Sequence, residues 1–219
     1  MSKKLHYLNV NGIAESIRYI LHYGGQKFED IRYELSDWPI KSVKDSLPYG
    51  QLPLYQEGSK TLNQSLAIAR YVASQVKLLP TDPWEQAVLD AIVFNIYDFW
   101  SSKSYISLCP IQKDQFFWFF LWSRTITFSP IEKFDFFFSR FEKELKANKG
   151  YFNGKLSWAD FILVGIVESA NLFLGTEIEK KYPSVTALVK TVRSLPGVKD
   201  YLATRKPYTL RCWLNKQSC

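Results

Sequence analysis

The chain has 219 residues, 47% hydrophobic and 22% charged, the balance of a soluble protein with room for one large domain or two small ones. Its longest strongly apolar run, 116–122, is far shorter than the ~20 residues of a membrane helix, and no apolar leader follows Met1-Ser2-Lys3-Lys4, so a cytoplasmic protein with no membrane partner is expected. Cysteines (3) and histidines (2) are too few for a disulfide frame, a zinc site or a histidine triad, and the net charge of +7 comes from cations scattered among acids, which argues against a nucleic-acid partner.

Residues 5–9 alternate apolar and polar, which predicts a strand. Asn11-Gly12 then mark a turn ahead of Ile13, Ile17, Ile20 and Leu21 at helical spacing. A second strand is expected over 28–35, a hairpin from 52–56 and 61–62 around Glu57-Gly58, and a helix over 65–76. The stretch Ser46-Leu47-Pro48-Tyr49-Gly50-Gln51-Leu52-Pro53-Leu54 sets two prolines and a glycine inside an apolar run. Proline removes a ladder donor, so Pro53 predicts the start of a strand or a special turn, with a cis bond as the candidate geometry.

From Pro83 onward the pattern becomes helical. Val88, Ile92, Ile96 and Phe99, with Leu89, Val93 and Trp100, form a wide apolar stripe. Ser129-Pro130-Ile131-Glu132 and Ser157-Trp158-Ala159-Asp160 offer helix starts with an acid-assisted cap. Aromatic residues crowd 116–141 at helical spacing, which reads as core. Leu78 to Pro83 reads as a linker. The expected domains are therefore 1–77, an α/β unit; 78–83, the linker; 84–210, an all-helical unit; and a tail over 211–219.

A βαβ unit followed by ββα, with proline opening its third strand, predicts a thioredoxin-like α/β fold. In that fold the residue before the proline, here Leu52, can pair its backbone with an extended peptide. There is no Cys-x-x-Cys, so disulfide exchange is not expected. Asn63-Gln64-Ser65 opens a helix whose free amides attract a carboxylate, although a serine at an N-cap needs no ligand to explain it.

These residues carry a family likeness that covers nearly the whole chain. The segments are Lys4-Leu5-His6-Tyr7-Leu8-Asn9, Ala14-Glu15-Ser16-Ile17-Arg18-Tyr19, Tyr23-Gly24-Gly25-Gln26-Lys27-Phe28-Glu29-Asp30, Asp37-Trp38-Pro39, Tyr49-Gly50-Gln51-Leu52-Pro53 and Gln64-Ser65-Leu66-Ala67-Ile68-Ala69-Arg70-Tyr71. The chain resembles the cytosolic glutathione transferases, most closely the sigma class, with a secondary likeness to the pi class. The resemblance implies glutathione as co-substrate, a homodimer and small hydrophobic electrophiles as second substrates.

By that resemblance Tyr7 matches the tyrosine whose hydroxyl donates to the glutathione sulfur. Trp38 and Lys44, with Lys41 as competitor, match positions that hold the glycine carboxylate. Gln51, Leu52 and Pro53 match the segment pairing with the cysteinyl unit, and Gln64 and Ser65 the γ-glutamyl carboxylate site. Asp98 matches the acid that reaches the γ-glutamyl amine across the dimer. Leu8, Ile13, Trp100 and Tyr105 are the expected walls of the electrophile pocket. Ile13 stands where many sigma enzymes have an arginine near the sulfur. Phe94 and Tyr97 stand where prostaglandin D-forming members have acids for a divalent metal, so no metal is expected.

The expected activity is addition of the glutathione thiolate to aldehydes, enones or aryl halides, in detoxification. Two alternatives stand beside it: a ligand-binding or structural relative without turnover, and a prostaglandin D-type isomerase. A nucleic-acid or membrane-surface adaptor rests on charge alone.

Overall fold

The computed structural model describes residues 2–34, 37–101 and 130–208. The first part of the chain runs β1 (Lys3–Leu8), α1 (Glu15–Tyr23), β2 (Glu29–Tyr33), α2 (Lys41–Ser46), β3 (Leu54–Glu57), β4 (Lys60–Asn63) and α3 (Ser65–Gln75). Its strands form one four-stranded sheet in the order β2-β1-β3-β4. β2 runs parallel to β1, and β3 is antiparallel to both β1 and β4. The helices α4 (Pro83–Ser101), α5 (Pro130–Ala147), α6 (Trp158–Leu174), α7 (Pro183–Ser194) and α8 (Pro196–Thr204) follow. A thioredoxin-like α/β part and a helical part thus succeed one another, as the sequence implies.

The alternation in β1 decides what the site receives. Leu5 is fully buried, and a period of two puts Tyr7 on the same face. His6 lies on the other face, its ring nitrogens 2.9 Å from the Tyr33 hydroxyl and 3.0 Å from Gln56 Oε1. Every residue of α1 from Glu15 to Leu21 is buried, because α3, α6 and α8 all pack against it.

At the centre of the helical part lies α6, buried from Trp158 to Ala170, as a helix apolar on all sides must be. Ser157 and Asp160 form its capping box: Asp160 accepts from the Ser157 N–H at 2.7 Å and the Phe152 N–H at 3.1 Å. The helix stops at Gly175, whose φ of +66° suits a residue without Cβ. Both α7 and α8 begin on a proline, which costs no intrahelical hydrogen bond at that position. Glu142 of α5 accepts from the Ser184 N–H at 2.8 Å and so closes the start of α7.

Several boundaries differ from the sequence expectation. β2 spans 29–33 rather than 28–35, with residues 35 and 36 outside the described set. β3 begins at Leu54, and the hairpin turns at Gly58-Ser59 so that β4 starts at Lys60. The helix expected over 65–76 ends at Gln75, and its N-cap is Gln64, not Ser65. α2 has no side-chain cap and no buried residue, so neither of the usual helix signals marks it. Pro130 opens α5 as expected, while Ser129 and the rest of 102–129 lie outside the described residues. Of the aromatic-rich stretch, Phe138 and Phe141 are core. No described helix is long and apolar enough to cross a membrane.

Candidate functional site

Tyr7 stands one residue from the end of β1, with its hydroxyl against the turn that follows. That turn is made by Asn11, whose side chain accepts from the Gly12 N–H at 2.9 Å, and by a single 3-10 turn over Gly12–Ala14. Gly12 has φ +46°, and a Cβ there would lie 2.6 Å from the Tyr7 hydroxyl oxygen. Only glycine meets both conditions. The next residue, Ile13, turns its backbone N–H to the Tyr7 oxygen.

The phenol is kept protonated. Burial pushes its pKa up to about 12; the Arg18 guanidinium and the Ile13 N–H act in the opposite direction, and Tyr97 of α4 adds to the rise. At neutral pH Tyr7 is therefore a hydrogen-bond donor whose oxygen already faces an N–H, with its own proton left for an acceptor in front of it. Arg18 lies over the ring, its Cζ 5.8 Å from the centroid.

The expected peptide-binding segment leads into β3, an inner strand of the sheet. The Leu52-Pro53 bond is cis, as is Trp38-Pro39, which the sequence did not suggest. The β3 ladder begins at Leu54, paired with His6 and Asn63, so the Leu52 amide lies ahead of it. Gln51 is exposed, Leu52 half-buried and Pro53 buried. At the start of α3, Gln64 holds φ 71° and ψ 115°, a backbone conformation that costs a residue with Cβ ~1–3 kcal/mol and tends to mark a working position. Ser65, directly after it, is 6% exposed.

Trp38 is half-buried, its ring 6.2 Å from that of Tyr33, which links it through Tyr33 to His6. On α2, Lys41 is drawn to Asp45 at 2.5 Å. Lys44 instead lays its stem across Gly50: a Cβ there would be 3.5 Å from Lys44 Cε. Of the two lysines, Lys44 is thus the one beside the Gln51 segment.

Leu8, next to Tyr7 in the chain, and Ile13, in the turn after β1, are both half-buried. Trp100 is half-buried on α4, its ring 6.3 Å from Phe173 of α6, and Asp98 is exposed on the same helix. Tyr105 lies outside the described residues. A separate concavity of about 880 Å³ opens at the β2 edge between α1 and α8, lined among others by Phe28, Arg32, Tyr201 and Arg205. None of the catalytic, glutathione-binding or electrophile-pocket residues named from the sequence lines it.

Behind Tyr7 lies a group that sequence reasoning missed. Glu15 and Arg18 are both fully buried and paired at 3.0 Å. Arg18 also donates from Nη1 to the Val10 carbonyl at 2.9 Å and from Nε to Asp30 at 3.0 Å. Glu15 further accepts from Tyr208 at 2.7 Å, from Tyr201 at 3.2 Å and from Arg205. The available signal was an acid and a base three apart in a helix that also carries Ile17, Tyr19, Ile20 and Leu21, and it reads equally well as a solvated stripe.

Comparison with known proteins agrees with this architecture. The family model described as glutathione S-transferase, N-terminal domain, matches residues 3–74, and the one described as glutathione S-transferase, C-terminal domain, matches residues 131–205. The Drosophila melanogaster glutathione S-transferase S1 is 31% identical over 93% of this chain and 79% of its own. The Gallus gallus hematopoietic prostaglandin D synthase is 33% identical over 92% of this chain and 96% of its own. Among solved structures, the prostaglandin synthase D of Nilaparvata lugens superposes with a TM-score of 0.79 at 33% identity, covering 94% of this chain and 100% of that one. The glutathione S-transferase of Ascaris lumbricoides gives 0.76 at 27% identity, covering 94% and 98%.

Proposed function

Because the chain belongs to the glutathione S-transferase family, we propose that it is a sigma-like transferase in which the Tyr7 hydroxyl stabilises the thiolate of bound glutathione for attack on small electrophiles. The observation that carries this reading is the Tyr7 hydroxyl set against the Gly12 turn, one residue from the end of β1. A free thiol has a pKa of ~8.5, so it is mostly unreactive at neutral pH, and each unit of lowering corresponds to ~1.4 kcal/mol of preference for the thiolate. A neutral donor beside the sulfur supplies that preference, because it bonds more strongly to the anion than to the thiol.

The chemistry then runs in one displacement or addition. The thiol proton is lost to solvent, the sulfur forms a bond to the electrophilic carbon, and either halide leaves or an enone or aldehyde takes up a proton. Leu52 offers its backbone to the cysteinyl unit. Trp38 and Lys44 hold the glycine carboxylate; Gln64, Ser65 and the amides opening α3 hold the γ-glutamyl carboxylate, with Gln51 alongside. Leu8, Ile13, Trp100 and Tyr105 wall the electrophile side. We take 1–77 as the glutathione-binding domain, 78–83 as linker, 84–210 as the helical domain and 211–219 as a tail.

A homodimer accompanies this reading, with Asp98 serving the partner's glutathione amine. What supports it is the exposure of large apolar side chains, 74% at Tyr49 and 59% at Phe94, which a second copy would cover. A cytoplasmic role in detoxification fits the same reading. A prostaglandin D-type isomerase is the second reading, favoured by the synthases among the relatives. With Phe94 and Tyr97 at the positions noted above, it would work without activation by a metal.

The test is conjugation of glutathione to an aryl halide and to an unsaturated aldehyde by wild type and by Tyr7→Phe, across neutral pH. The variant keeps the ring and deletes the donor, so kcat/KM should fall about a hundredfold, the typical loss when one donor to a developing anion is removed, and the pH optimum should rise. A wild type that binds glutathione yet turns neither electrophile over would hand the function to the ligand-binding relative.

A further inference from the structure

We infer that Arg18 is a positioning residue for the Tyr7 hydroxyl, supplying from over the phenol ring the positive charge that Ile13 does not supply at the sulfur. This inference rests on the role proposed for Tyr7.

The geometry is specific. Arg18 is fully buried, and its guanidinium lies over the Tyr7 ring at 5.8 Å. Nε is bound to Asp30, and Nη1 to Val10, Glu15 and Tyr208. Nη2 is buried and has no hydrogen-bond partner among the described residues. A buried N–H without an acceptor is costly to keep. Here the guanidinium as a whole faces a π-system that can receive a cation.

The direction of the effect follows from charge. When Tyr7 donates to a thiolate, negative charge grows on the phenol oxygen and in the ring. A fixed cation over the ring lowers the energy of that polarised state more than that of the resting phenol, so the donor strengthens when the thiolate forms. The groups that set the balance around Tyr7 are Arg18 from α1 and Tyr97 from α4. Those around Arg18 are Glu15 from its own helix, Asp30 from β2, and Tyr201 and Tyr208 from α8 and the segment after it. Arg32 closes on Asp30 at 2.6 Å from the β2 side, and Arg205 pairs with Glu15.

Arg18 thus acts through Tyr7, and the test must separate that from mere support of the fold. The readout is the pH titration of enzyme-bound glutathione by thiolate ultraviolet absorbance, with kcat and KM for an aryl halide measured in parallel. Arg18→Gln should raise the bound thiol's pKa by roughly half to one unit, the scale of a desolvated cation–π contact, and lower kcat/KM at neutral pH about three- to tenfold with little change in KM for glutathione. Arg18→Lys should recover most of the shift. Asp30→Asn, which removes an acid facing Arg18, should move the thiol the opposite way, down by a few tenths of a unit, roughly. In a Tyr7→Phe background, Arg18→Gln should add nothing.

Three results would overturn the inference: an Arg18→Gln enzyme that titrates like wild type, an equal shift in the Tyr7→Phe background, or an Asp30→Asn shift that is absent or upward. Should Arg18→Gln fail to fold, the Asp30→Asn shift decides alone. If Tyr7→Phe itself leaves the bound thiol unmoved, the role of Tyr7 falls first and that of Arg18 with it.

Discussion

The seam between the sheet and the helices is made in two chemically different ways a few residues apart. Where α6 crosses the start of α1, the contact is one of close approach: a Cβ added at Gly165 would lie 2.3 Å from Ser16 Oγ and 2.8 Å from Ser16 N. Ser169 on the same helix reaches the Gly12 carbonyl at 2.9 Å. Where α8 meets α1, the contact is one of charge, with Glu15 held among Arg18, Arg205, Tyr201 and Tyr208. Both hold the turn that carries Gly12 and Ile13. The first fixes where the turn sits and tolerates no added volume, whereas the second sets the field behind Tyr7 and tolerates volume but not loss of balance.

Removing the shared acid should break the ionic contact hardest. Glu15→Ala leaves the fully buried Arg18 with Asp30 alone and the half-buried Arg205 with Glu168, 3.8 Å away, a loss of ~3–5 kcal/mol. Urea unfolding would show it as a lower midpoint, and an unchanged midpoint would mean that Asp30 and Glu168 suffice.

Alkaline titration probes the same contact with the sequence intact. Burial raises the pKa values of Tyr7, Tyr19, Tyr201 and Tyr208. A tyrosine whose folded pKa is raised favours folding at pH values below its ordinary 10, and that contribution is lost as pH climbs through the folded value, about 12 for Tyr7. Tyr7 alone accounts for no more than about 3 kcal/mol. Stability should therefore stay level up to pH ~10 and fall steeply above it, with these tyrosines ionising only as the chain unfolds. Tyrosine absorbance that rose smoothly while the circular dichroism held would contradict it.

The steric contact should give the smaller loss. Gly165→Ala forces Ser16 and its backbone to shift, for ~1–3 kcal/mol of overpacking. It should also move Gly12 relative to the Tyr7 hydroxyl. A conjugation rate that falls more than the melting temperature would predict is the sign to look for.

The contrast also explains what was legible in the sequence. Alternation in β1, the proline before Leu54 and the serine and aspartate opening α6 are local signals, and each leaves a mark within a few residues. So the sheet, the cis bond at Pro53 and the cap at Ser157 could be read in advance. Gln64 could not be foreseen as the N-cap, because Ser65 beside it is the better cap former and nothing local demands φ 71°. Arg18 was hidden for another reason. A buried ion pair depends on what β2, α8 and the segment after it bring from 12 to 193 residues away, and helical periodicity counts such residues as polar. On the site itself, the residue types near Tyr7 came from likeness to a family rather than from any spacing rule.

Gln64 has one further consequence. A glycine would rest more comfortably in its backbone conformation, so the chain keeps there a residue that its own fold disfavours. If Gln64 holds the γ-glutamyl carboxylate as proposed, heat tolerance and grip on a tripeptide are set against each other at a single position. Selection for thermal robustness alone would drift toward glycine at 64 and give up the side-chain amide there, whereas selection for turnover would hold the glutamine and accept a softer helix start.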